Sequence, residues 1–390
     1  MNNKNIIFKN FQLNKKNSRV QKLLGNILKE HSQILLSLSK NYLDNFSKKY
    51  LIQYKKYNKL RVIGMGGSSL GAQAIYSFLK HKIKKKISFL SNLTTEQKQS
   101  NKKHLNLIIS KSGNTLETIV NSNFFINRND KNIFITENKK NYLHSLAQKL
   151  KADIIHHNNY IGGRYSVLSE VGMLPAELMG LNSNNFRQFN SLIKNKKFMD
   201  SLILNVSSTL YYIKNKKFNS IILNYDENSQ NLFYWYQQLI AESLGKKNKG
   251  LLPIVSSLPK DNHSVMQLYL DGFKKNFYTF FYVHENKTKK INAENLLSSH
   301  KFLKNKNLNH IIFAQKKATE NVFNRKKIPF RSFEIKKRDE KTLGELFTFF
   351  ILETILIGNS LKINPYDQPA VELIKKETKK ILILDNKKYF

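Results

Sequence analysis

The sequence predicts an α/β protein with two mainly parallel sheets, each covered by helices, and a C-terminal helical arm. Three observations carry this expectation. Short apolar runs alternate with amphipathic stretches from Leu60 onward, the pattern restarts near Asn219 after a helical link at residues 173–215, and the last segment is helix-rich and charged. Alternation of buried strands with covering helices is the pattern of a parallel sheet. The chain of 390 residues has room for two or three cores at the usual size of about 100–200 residues per domain.

Residues 1–55 are expected to be a helical packing segment, because Leu24, Leu28, His31, Leu35 and Leu38 recur at intervals of three and four. Residues 56–190 form the first predicted domain, with strands at RVIGM, ISFLSN, LNLIIS, NIFITE and ADIIHH. The second, residues 200–345, starts with NSIILNYD and a helix through FYWYQQLIAESLG, then continues through the apolar runs KNFYTFFYVHE, NHIIFAQ and PFRSFEI. Residues 346–390 make up the arm, which is expected to wrap back over the core.

Composition excludes several classes. Without cysteine there is neither a disulfide framework nor thiolate chemistry, which suits a reducing compartment. The first twenty residues lack the apolar stretch of a secretory leader, and no run reaches about 18 uninterrupted apolar residues, so a cytoplasmic protein without a membrane partner is expected. A net charge of +39, from 66 Lys+Arg against 27 Asp+Glu, raises nucleic-acid binding as a possibility. The lysines, however, are spread along the chain among Asn and Ile instead of forming one arm. That distribution points to solvated faces that attract anionic metabolites.

Chemistry concentrates in a few turns. In RVIGMGGSSLGAQAI, residues 61–75, a strand runs into Gly64, Gly66, Gly67, Ser68 and Ser69 and then a helix. A dinucleotide fingerprint needs an acidic residue about 20 positions later, and a P-loop needs Lys-Ser/Thr after its last glycine. Neither is present. The remaining readings are a backbone nest for a phosphate monoester or a plain strand-to-helix turn. LIISKSGNTLETI repeats the logic with Ser110, Ser112, Gly113 and Thr115, its alternative being an ordinary Ser/Thr helix cap. Two such turns would converge at the carboxyl edge of one sheet, where open α/β sheets bind ligands.

Further on, IGGRYS places Arg164 behind two glycines, either aimed into a cleft or pairing structurally with a carboxylate. Glu242 lies late in a helix whose apolar face includes Trp235, Leu239 and Ile240. It is either a partly desolvated base or a solvent-facing carboxylate. His263, in PKDNHSVMQ, sits at an expected helix start, where a lone histidine is commonly a surface or capping residue.

Taken together, these stretches closely resemble the glucose-6-phosphate isomerase family. G-G-R-Y-S-x-x-S-x-x-G at residues 162–172 matches one family signature, and GNSLKINPYDQPAVELIK at residues 358–375 matches another. G-x-G-G-S-x-L-G, S-K-S-G-x-T, A-E-S-x-G-K and H-S-x-x-Q occur in the family's order, so the resemblance spans about residue 60 to residue 378. The chain is short for the family and lacks the glycine often found between the proline and the histidine of the His263 segment.

The resemblance implies two sugar-isomerase (SIS) domains with a C-terminal arm, and a homodimer with shared active sites. It implies a cofactor-free and metal-free interconversion of glucose 6-phosphate and fructose 6-phosphate, so the adjacent His156 and His157 are not expected to be metal ligands. Glu242 becomes the base that moves a proton between C1 and C2, and Arg164 stabilises the enediolate. His263 and Lys375 become the pair for ring opening and hydroxyl proton movements. Gly67, Ser68, Ser110, Ser112 and Thr115 match phosphate-binding positions, and Gln368 matches a glutamine of the active site. A carbon acid beside a carbonyl needs this combination of general base and electrostatic sink. The remaining alternatives are a relative that also accepts mannose 6-phosphate and a sugar-phosphate sensor without acid-base groups.

Overall fold

Nearly continuous apolar strands such as Leu105–Ile109 must be covered on both faces, and that requirement organises the protein. The structure is a computed structural model that describes residues 5–13, 16–30, 32–94, 104–127, 130–285 and 288–388, with side chains as far as residue 384. One sheet contains β2 (Lys59–Ile63), β3 (Lys86–Leu90), β4 (Leu105–Ile109), β5 (Lys131–Thr136) and β6 (Asp153–His156), all parallel, in the order β3-β2-β4-β5-β6. The other contains β1 (Ile6–Lys9), β7 (Asn219–Asn224), β8 (Leu252–Ser257), β9 (Asn276–Val283) and β10 (Phe330–Ile335) in the order β1-β10-β9-β7-β8. Only β1 is antiparallel, pairing Ile6 with Ile335.

The fold class is the one expected, with differences in detail. The stripe of the N-terminal helices is buried at Leu24, Leu35 and Leu38 and partly at Leu28, while His31 lies outside the described residues. That N-terminal segment also supplies β1, so it belongs to the second sheet as well as to the helical layer. NHIIFAQ is not a strand but part of the helix Leu308–Arg325, started by Asn307, whose side chain accepts the His310 N–H at 2.8 Å. β8 was not anticipated.

A shared layer of helices joins the two sheets, each of which also has a core of its own. The helix Leu70–Phe78 of the first domain packs on Gln230–Leu244 of the second, and Glu340–Ser360 packs on both Lys196–Lys214 and Gln230–Leu244. Glu340–Ser360 is long and apolar enough to cross a membrane, yet 94% of its apolar stretch is buried inside the protein. Its Glu353 is paired with Arg331, whose remaining N–H groups reach Thr279 at 2.9 Å, Asn205 at 2.8 Å and the Tyr236 hydroxyl at 3.2 Å. A charge this deep needs that complete set of partners.

In each sheet the chain leaves two neighbouring strands in opposite directions, which opens a crevice at their carboxyl ends. In the first sheet these are β2 and β4, and the crevice is bordered by the two glycine- and serine-rich turns. In the second they are β7 and β9, where Arg338 donates to both carboxylate oxygens of Asp226, one at 3.0 Å, and pairs with Glu285. The second crevice is thus already occupied by a side chain.

Within the first domain, two turns meet backbone to backbone. A Cβ on Gly67 would lie 2.1 Å from the carbonyl carbon of Gly163, a separation no side chain tolerates. Gly67→Ala must therefore push the turn that delivers Arg164 away from the turn after β2. It should lower unfolding free energy by about 3 kcal/mol, the upper end for overpacking, as measured by urea denaturation.

Candidate functional site

The site is assembled from three elements that converge at the domain junction. The residues Gly163–Leu168 form a 3-10 segment after two glycines, and this brings Arg164 into the interior with only 2% of its side chain exposed. Its Nε donates to Ser243 Oγ at 2.8 Å, Nη1 to Glu242 Oε1 at 3.0 Å and to Gln368 Oε1 at 2.7 Å, and Nη2 to the carbonyls of Pro365 at 2.7 Å and Asp367 at 3.0 Å. Glu242 comes from the last turn of Gln230–Leu244, with 19% of its side chain exposed. Of the two sequence readings of Arg164, the structure shows the pairing with a carboxylate, and that carboxylate is Glu242. Glu242 is not simply solvent-facing.

Sequence reasoning did not single out Gln238. Its Nε2 donates to Glu242 Oε2 at 2.8 Å, and its Oε1 is buried without a hydrogen-bond partner. The i, i+4 spacing on one helix face was the available signal. Gln238 also touches the first domain, since a Cβ on Gly66 would lie 2.8 Å from its Nε2. One face of Glu242 therefore meets Arg164 and the other meets an amide that rests against the first serine-rich turn.

The two turns after β2 and β4 lie side by side, because a Cβ on Gly64 would sit 2.9 Å from the Ile109 carbonyl oxygen. Gly67 is buried and Ser68 half-buried. Ser69 precedes the helix Leu70–Phe78 without capping it through its side chain. In the second turn the buried Ser110 Oγ lies 2.9 Å from Thr115 Oγ1, Ser112 is exposed, and Gly113 adopts φ +66° against the Asn141 side chain. Thr115 stands at the start of Leu116–Phe125 but makes no side-chain cap bond. The ordinary-cap reading does not hold, and the first amides of both helices keep their donors uncapped by these side chains.

His263 and Lys375 stand apart from this cluster in the single chain. His263 ends the 3-10 segment Lys260–His263 and is exposed. Lys375 lies on the exposed helix Val371–Lys388, paired with Glu372 at 2.6 Å. His157 is buried, with its Nδ1 2.8 Å from the Asn158 carbonyl oxygen, and burial pushes its pKa down. Among the described residues no group of three or more His, Cys, Asp or Glu is arranged to hold a metal ion.

The segment that carries Gln368 is fixed by charge. The Asp367 carboxyl is held below its ordinary pKa, first by the Lys246 hydrogen bond and then by the charges of Lys246 and Arg164. The Tyr165 hydroxyl, 2.9 Å from Ser243 Oγ and 3.0 Å from the Pro365 carbonyl, is pushed up by burial. It serves as a neutral donor there.

Comparison with known proteins matches this arrangement to one family. The family described as phosphoglucose isomerase matches residues 51–388. The chain is 33% identical over 345 residues to a glucose-6-phosphate isomerase of Methanocaldococcus jannaschii, covering 82% of this chain and 83% of that one. It is 32% identical over 381 residues to one of Mycoplasmopsis pulmonis, covering 89% and 88% respectively. A solved structure of a hypothetical protein from Thermus thermophilus superposes with a TM-score of 0.83 at 22% identity, over 94% of this chain and 96% of that one, so the two share the fold. With a family match along most of its length and relatives above 30% identity, the chain belongs to the phosphoglucose isomerase family.

Proposed function

We propose that this protein interconverts glucose 6-phosphate and fructose 6-phosphate through a cis-enediol(ate), with Glu242 as the base. The observation that carries the reading is the placement of the Glu242 carboxylate between the Arg164 guanidinium and the Gln238 amide, beside two serine-rich turns at helix starts. The phosphate is held by Gly67, Ser68, Ser110, Ser112 and Thr115. Glu242 removes the proton from C2 of the open-chain aldose and returns it to C1, and electron density that develops on oxygen is stabilised by Arg164 and Gln368. One carboxylate on one face of a planar enediolate serves both transfers.

His263 and Lys375 complete the reaction in this reading by opening the sugar ring and moving hydroxyl protons. The exposure of His263 supports a homodimer in which that histidine enters the partner's site. The spread of lysine along the chain supports a small anionic substrate and not a nucleic acid, and the absence of cysteine supports a cytoplasmic setting. Glu242 favours an enzyme over a sensor that merely binds sugar phosphate.

The direct experiment is a coupled assay with fructose 6-phosphate and, separately, mannose 6-phosphate, in the presence of a chelator. Turnover of fructose 6-phosphate unaffected by the chelator is expected; no turnover of either sugar would end the enzyme reading. Glu242→Gln should lower kcat at least about 100-fold with little change in KM and abolish exchange of the C2 proton with deuterated solvent.

Ser112→Ala and Thr115→Ala remove hydroxyls from a cradle that holds the phosphate in ground and transition states alike. Their effect should appear mainly as a raised KM in steady-state kinetics, with weaker inhibition by a non-isomerisable sugar phosphate. A fall in kcat alone would instead assign the turn to the chemistry.

Sharing of sites is tested by unfolding Glu242→Gln and His263→Ala proteins and refolding them together in equal amounts. In a twofold dimer each mixed pair has one site with both defects and one with neither. Random pairing then restores roughly one quarter of wild-type activity, while each variant refolded alone stays inactive. Mixed dimers without activity would show that His263 serves its own chain.

A further inference from the structure

The segment after the core helix is fastened at several points to the end of Gln230–Leu244, the helix that carries Glu242. That helix stops at Gly245, and the chain turns back through Lys247 and Asn248, both with positive φ. The turn presents two ammonium groups. Lys249 Nζ donates to the Leu361 carbonyl at 3.0 Å, which caps the exit of Glu340–Ser360. Lys246, with 12% of its side chain exposed, donates to the Asn364 carbonyl, to the Asp367 carbonyl at 2.6 Å and to Asp367 Oδ1 at 2.6 Å. Its three N–H donors are matched by three oxygens.

The Asp367 carbonyl is shared, because Arg164 Nη2 also donates to it. Lys246 therefore acts on Arg164 through a single oxygen, and on Gln368 through the adjoining peptide. Nη1 of the same guanidinium divides between Gln368 and Glu242. Without the ammonium, nothing else from this turn holds Asp367 in place. Asp367 would keep Arg164 Nη2 and the Asn364 amide, each at 3.0 Å, and the loosened segment would let Gln368 yield its share of Arg164 Nη1 to Glu242.

We propose that Lys246 is a positioning residue for the isomerisation: it fixes Asp367 and Gln368 so that Arg164 is shared between Gln368 and Glu242 instead of neutralising the base. This deepens the reading above and rests on it. Lys246 contacts neither Glu242 nor the two serine-rich turns, so its influence falls on the chemical step and leaves phosphate capture intact.

The test compares Lys246→Met with Lys249→Met, which loses a neighbouring ammonium that holds only the helix exit. Lys246→Met should lower kcat about 10- to 100-fold, the scale of a displaced reacting group, with KM within about threefold of wild type. A five-carbon aldonate phosphate, which carries the enediolate's charge, should bind at least about tenfold more weakly, while an alditol phosphate keeps its affinity within about threefold. Lys246→Arg should recover part of the lost kcat, and Lys249→Met should leave kcat within about threefold.

The proposal is overturned if Lys246→Met turns over like wild type, or if its loss lies in KM or equals that of Lys249→Met. Should Lys246→Met fail to fold, Asp367→Asn weakens the same bond from its exposed end. A kcat loss of about threefold or more with KM unchanged then supports the proposal, and wild-type kinetics overturn it. A wild-type protein inactive on fructose 6-phosphate would overturn the functional reading itself, whereas an active wild type with an unaffected Lys246→Met would remove only the role of Lys246.

Discussion

A guanidinium that is almost wholly buried must find an acceptor for each of its five N–H groups, and Arg164 does so with atoms from two other parts of the chain. Ser243 and Glu242 come from the end of one helix, and Pro365, Asp367 and Gln368 come from the segment behind the core helix. Arg164 itself comes from a glycine turn of the first domain. None of these pieces can shift without leaving a charge unsatisfied in the interior. The close approach of Gly67 to Gly163 follows from the same requirement, because the turn that delivers Arg164 has to lie flat against the turn after β2.

The two sheets repeat an architecture but divide its uses. Each has a crevice where neighbouring strands hand the chain off in opposite directions. In the first, the crevice is bordered by small hydroxylic and glycine residues. In the second, Arg338 and two carboxylates fill the equivalent place, and the Arg338 guanidinium lies 5.1 Å from the Phe78 ring of the first domain. An internal cation there ties the domains together.

Much of this was legible in the residues. Buried parallel strands announce themselves as unbroken apolar runs, and all five strands of the first sheet were found that way. The edge strands of the second sheet were harder: β1 is only four residues long, and β8 carries Pro253 and an exposed Leu252, so neither shows a clean period. The helix Leu308–Arg325 misled because its inner face includes Lys316 and Glu320, charged residues that are buried only because they pair with each other and with Glu334. A hydropathy pattern counts them as outward. In the site, glycine and serine clusters marked the turns and the late-helix carboxylate marked Glu242, but the link from Arg164 to Gln368 joins positions 204 residues apart. No local pattern encodes such a contact, and Gln238 was overlooked because a glutamine acquires meaning only from what stands one turn away.

The position of β1 has a consequence for how the chain is made. Among the described strands Ile6–Lys9 stands earliest in the chain, yet the strand it pairs with, β10, begins at Phe330. At synthesis rates of about 5–20 residues per second, about 15 to 60 seconds pass before that partner emerges. Through that interval β1 has no sheet to join, while the first domain, whose five strands are consecutive in the chain, can already close. Closure of the second sheet therefore waits on one of the longest-range pairings in the molecule, the kind of contact that slows folding most. The shortness of β1 and the lysine that ends it, Lys9, keep the waiting edge small and charged, which is how an unpaired strand avoids the wrong partner.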